Sequence, residues 1–154
     1  MVSRVHVSPE VAHDLSSLVH ANLDSSRSFD EAARTIEAHN LGLIFRAIAI
    51  QRRDNAEELE RYVAVAEPSA HESSIRGTLH RWWVRVRGAL QHDHVSSLLA
   101  EAERSEEAMK KAYESVLMKV ALDPIAGLLG KQYRDVRQQR DQIRDLRERT
   151  ALVN

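Results

Sequence analysis

Apolar side chains recur at three- and four-residue intervals along four long stretches of this 154-residue chain, a period that commits it to amphipathic α-helices. In the first stretch Val11, Leu15, Leu18, Asn22, Ser25, Phe29, Ala32 and Ile36 share one face. The second carries Ile44, Ile48, Arg52, Asn55, Leu59, Tyr62 and Ala66. The third carries Val95, Leu98, Ala102, Glu106, Met109, Tyr113, Val116 and Val120, and the fourth Ile125, Leu128, Gln132, Val136, Gln139, Ile143 and Leu146. A shorter stripe joins Ile75, Leu79, Trp82, Trp83, Val86 and Leu90. Five glycines and three prolines are too few for the turns of an all-β fold.

The punctuation between stripes places the helix ends. Ser8-Pro9-Glu10 offers a capping hydroxyl, a proline at the first helical position and an acid at the positive end of the dipole. Asp123-Pro124 repeats that start, His39-Asn40 with Gly42 marks a break, and Pro68 stops the second helix. Gln91-His92-Asp93 reads as a turn and a cap. The expectation is one domain over residues 1–154, with helices over 9–39, 41–66, 74–90, 93–121 and 124–149 and a frayed tail from Thr150. Long helices of about 25–30 residues would each span roughly 40 Å. The first pair and the last pair are joined too tightly to do anything but fold back. The short helix, about 24 Å long, can return along the bundle side. This predicts an all-α, antiparallel four-helix bundle with a crossover between its second and third helices, which is ferritin-like connectivity.

The formal charge of −1 supplies no global attraction for nucleic acid or an anionic membrane, and neither is expected as a partner. The chain is 43% hydrophobic and 29% charged, as folded domains are, and contains no Cys for disulfides, thiolate metal sites or a Cys nucleophile. Met1 to His6 form no apolar signal core, and the apolar run from Leu41 to Ile50 is short and broken by Arg46. A cytoplasmic location is expected.

His80-Arg81-Trp82-Trp83, together with Glu103-Arg104-Ser105-Glu106, Ala108, Lys111, Ala112 and Tyr113, resembles a known family. Asp24 with Phe29, Ala32 and Ala33, Arg52 with Glu58-Leu59, and Gln132-Tyr133 add to the likeness. The family comprises bacterial ferritin-like four-helix-bundle proteins, a domain of unknown function, and the resemblance runs over nearly the whole chain. It implies a fold and no activity. The family usually has Gly where this chain has Ser25, Ser28, Trp82 and Ser105. The resemblance therefore assigns the shared packing role in the crossover to Trp83, which is expected to be buried. Trp82 is extra apolar surface and a candidate homodimer contact.

Di-iron ferritin-like proteins take one Glu from each of two helices and a Glu-x-x-His pair from each of the other two. Here the mid-helix positions hold Asn22, Arg52 with Asn55, Glu106 with Glu103 nearby, and Gln132 with Asp135. Most negative ligands are gone, and Arg52 would repel a cation. No metal is expected, with Glu103, Glu106 and Asp135 the weak candidates if one binds. The preferred reading is a buried polar layer of Asn22, Arg52, Asn55, Glu106 and Gln132, with Arg52 paired to Glu106 or Glu103.

Other constellations favour ordinary roles. Glu10 and His13 form a single Glu-x-x-His in a first helical turn, far from the layer. His13, Ser17, His20, Asp24 and Glu31 make a solvated stripe. His92-Asp93-His94 is a short surface turn, explained by capping as readily as by metal. Arg76, His80, Arg81, Arg85 and Arg87 are expected to face acids while the tryptophan stripe packs inward. The mixed charges from Arg134 to Arg149 make a salt-bridged solvent face. No phosphate loop or nucleophile elbow occurs, so no catalytic residue and no cofactor is expected. The leading expectation is a non-catalytic protein acting through its surface, as a homo-oligomer or with a protein partner, in a bacterial stress role. The alternative is a divergent metal-binding or iron-oxidising ferritin-like protein.

Overall fold

A computed structural model describes residues 8–36, 39–63 and 95–153. Among them are four α-helices and no strand: α1 Pro9–Thr35, α2 His39–Glu60, α3 Val95–Lys119 and α4 Ala126–Val153. No helix among these residues is long and apolar enough to cross a membrane. The expected helix over 74–90, with Trp82, Trp83 and its arginines, and the His92–His94 turn lie outside the described residues.

Local chemistry sets the helix ends, and several differ from expectation. At the start of α1, Ser8 Oγ accepts from the Val11 N–H at 3.3 Å, with Pro9 next in the chain. α1 stops at Thr35 rather than 39, because Ile36 turns extended at φ −82°, ψ 131° while its N–H still reaches the Ala32 carbonyl. α2 begins at His39, inside the expected break. It ends at Glu60, short of 66, where the N–H groups of Tyr62 and Val63 converge on the Leu59 carbonyl at 3.0 and 3.3 Å. α3 ends at Lys119 rather than at 121, and α4 starts two residues beyond Pro124. The tail is helical to Val153 instead of frayed from Thr150, whose hydroxyl donates to the Leu146 carbonyl at 2.8 Å.

Contacts between helices establish their directions. Phe29 and Phe45 meet edge to face at 5.2 Å, and Ser26 Oγ donates to the Ala49 carbonyl at 2.7 Å, so α1 and α2 are antiparallel. Arg140 reaches Glu107 at 2.7 Å and Arg147 reaches Glu103 at 2.6 Å, so α3 and α4 are antiparallel. Lys119, ending α3, bonds Asp14 at 2.9 Å and Glu10 at 3.2 Å near the start of α1. α3 therefore runs against α1 and along α2.

Two apolar clusters fill the interior. Leu15, Leu18, Leu59, Met109, Val116 and Leu129 belong to one, and Phe29, Phe45, Ile48, Leu98, Leu99 and Ile143 to the other. Between them the inward faces of α1, α2 and α3 turn polar. Far-UV circular dichroism of the chain is expected to show helix with no appreciable strand; a sheet fraction typical of an α/β protein would contradict this architecture.

Candidate functional site

The polar segment between the clusters is built from positions that follow the same inward period as their apolar neighbours. Asn22 and Ser25 come from α1, Arg52 and Asn55 from α2, and Ser105 and Glu106 from α3. With Gln132 of α4, all are at most 1% exposed. Arg52 Nη2 donates to Glu106 Oε2, and both side chains are fully buried. Burial pushes the Glu106 carboxyl above its ordinary range, with the Arg52 charge and hydrogen bond pulling against that rise.

One turn along, a hydrogen-bonded chain ties all four helices together. Asn22 Nδ2 donates to the Leu18 carbonyl at 2.8 Å and to Tyr113 Oη at 2.9 Å. Tyr113 Oη donates to Gln132 Oε1 at 2.8 Å, and Gln132 Nε2 donates to the Asn55 carbonyl at 3.2 Å. Asn55 Oδ1 in turn accepts from Gln51 at 3.1 Å. Burial pushes the Tyr113 hydroxyl up to about 12, so it stays a neutral donor. Reading Tyr113 as apolar stripe overlooked that hydroxyl; the available signal was a tyrosine two turns after an inward glutamate.

Several buried atoms have no hydrogen-bond partner among the described residues: Arg52 Nε and Nη1, Glu106 Oε1, Asn22 Oδ1, Asn55 Nδ2, Ser25 Oγ and Ser105 Oγ. Donors and acceptors both remain around a pair of balanced charge, which is the chemistry that buried water satisfies. It is not the chemistry of a di-iron centre. The single fully buried carboxylate among the described residues is taken by a guanidinium that cannot shed its charge, and amides stand at Asn22, Asn55 and Gln132.

The other proposed ligands lie elsewhere. Glu103 bonds Arg147 of α4, and Asp135 is half-buried outside the hydrogen-bonded chain. Glu10 is engaged by Lys119, which leaves its spacing to His13 without a second pair. No group of three or more His, Asp or Glu able to hold a metal ion occurs among the described residues. Along α4 the mixed charges are laced into ion pairs, including Arg140–Asp141 at 2.9 Å and Arg144–Asp141 at 3.6 Å.

Compared with known proteins, the chain matches a family model described as a domain of unknown function (DUF2383) over residues 10–119. That span holds α1, α2 and α3 with Asn22, Arg52, Asn55 and Glu106, and ends before α4 and Gln132, narrower than the near-whole-chain resemblance. No curated protein and no solved structure matches.

Proposed function

We propose that this chain, which belongs to the DUF2383 family, is a non-catalytic ferritin-like bundle that works through its surface and uses its polar layer structurally. The observation that carries the reading is Arg52, fully buried against Glu106 where a ferritin-like protein would hold metal. A simple up-down bundle alternates helix direction, so the shared direction of α2 and α3 supports a long crossover between them. A polar layer of this kind sets register among helices of similar shape more than it adds stability. One domain over residues 1–154, a bacterial cytoplasmic setting, a stress role and Trp82 as a homodimer contact complete the proposal.

The competing reading is a divergent metal-binding or iron-oxidising ferritin-like protein. It draws on Glu106 Oε1, which has no hydrogen-bond partner among the described residues. Elemental analysis separates the two, using untagged protein purified from iron- and zinc-supplemented medium. Well under one metal ion per chain is the expected result; a stoichiometric pair of ions would replace our reading with the competing one.

A further inference from the structure

We infer that the Arg52–Glu106 layer is a binding site for internal water, holding at least two ordered molecules against the Arg52 guanidinium. The inference rests on the structural reading of the layer given above and names its ligand. Arg52 comes from α2, Ser105 and Glu106 from α3, and Asn22 and Ser25 from α1, and each is at most 1% exposed. The pair is joined through one atom on each side, Nη2 donating to Oε2. Arg52 Nε and Nη1, Glu106 Oε1, Asn22 Oδ1 and the hydroxyls of Ser25 and Ser105 have no hydrogen-bond partner among the described residues. Leaving buried polar groups unbonded is costly, and native interiors rarely do it.

The mixture of groups decides what the site takes. A cation needs acceptors alone, and Glu106 Oε1 and Asn22 Oδ1 share their layer with a guanidinium that repels it. An anion needs donors alone, and the Glu106 carboxylate repels it in turn. Water both donates and accepts, so one molecule can accept from Arg52 and donate to Glu106 Oε1 or Asn22 Oδ1. The shape of the guanidinium sets the count. Nη1 lies on the Cδ side of that planar group, whereas the Nε hydrogen points to the other side, beside Nη2. A single acceptor therefore cannot serve both nitrogens, and two are required. On α1, Ser25 stands between Asn22, which is bonded to Tyr113, and Phe29, which meets Phe45. The apolar clusters on either side offer water no partner, so it is held at this level.

A high-resolution crystal structure of the full chain, from crystals soaked in bromide with anomalous data at the bromine edge, tests this. Water-sized density within hydrogen-bonding distance of both Arg52 Nε and Nη1, silent at that edge, is the expected result. Oxygen-17 relaxation dispersion gives a second reading in solution. It should count at least two more long-lived waters in the wild type than in Arg52→Met with Glu106→Leu, compared at equal helix content by circular dichroism. Density at one nitrogen or neither, or equal water counts in the two proteins, would overturn the inference and leave Arg52 and Glu106 as a structural pair. A bromide peak on Arg52 would overturn it in favour of an anion site. Metal found by the elemental analysis above would sink the structural reading itself.

Discussion

Arg52→Ala is expected to lower the unfolding free energy by about 3–5 kcal/mol, because it strands the Glu106 carboxylate in an apolar interior. The loss should depend on pH. Burial already holds the Glu106 carboxyl above its ordinary range, and Arg52 is the influence that lowers it. Without Arg52 the carboxyl rises further. A carboxyl whose pKa is raised on folding supports the fold while protonated and loses that contribution as pH climbs through the folded value. Urea unfolding of the variant should therefore show a larger deficit at about pH 8 than at about pH 5. Arg52→Met with Glu106→Leu should be far milder, near neutral or stabilising by about 1–4 kcal/mol, since apolar packing replaces both charges. A pH-independent deficit below about 1 kcal/mol in the single variant would show that the pair does not bear on stability.

Phe29→Ala is expected to cost about 3–5 kcal/mol. Phe29 is fully buried and meets Phe45 edge to face, so truncation removes both transfer free energy and an aromatic contact. Leu59→Ala and Met109→Ala, in the other cluster, should cost about 2–5 kcal/mol each. Leu122→Ala, at a fully exposed position beyond α3, should stay within about 0.5 kcal/mol. Thermal and urea denaturation of this set checks the assignment of faces. A loss at Leu122 rivalling that at Phe29 would reverse inside and outside.

The helix faces were legible because period is a strong signal where one side of a helix is buried. Leu15, Leu18, Phe29, Leu98, Met109 and Val136 lie on the lines read from spacing alone, and all are buried. Phe45 and Leu99 fall beside those lines and are buried as well. Helices in a bundle face two neighbours, so the apolar arc is wider than one stripe. At the end of α1, Ile36 keeps the apolar period while its backbone turns extended, so periodicity overran the boundary. In α4 the same width shows: Leu129, beside the line, is completely buried, and Leu128, on it, only in part, while Gln132 and Val136 on that line are buried.

Asn22, Arg52, Asn55, Glu106 and Gln132 lie on the stripes read from spacing and are buried, but spacing did not reveal what each of them meets. Spacing left Glu103 and Glu106 both open as partners for Arg52. Glu106 meets Arg52, while Glu103, three residues earlier, is drawn to Arg147 of α4. A stripe read along one helix cannot say which neighbouring helix each carboxylate will face. The Tyr113 hydroxyl was hidden for a related reason: its ring satisfies the apolar period, and only packing against α1 and α4 reveals the donor and acceptor it meets.

The central claim is that Arg52 and Glu106 close the middle of the bundle as an ion pair where a ferritin-like protein would carry iron. A crystal structure of the untagged protein soaked in ferrous iron, with anomalous data at the iron edge, addresses it most directly. The account predicts Arg52 on Glu106 and no anomalous peak within coordination distance of the Glu106 carboxylate. Two iron peaks bridged by Glu106, with Arg52 turned out to solvent, would contradict it.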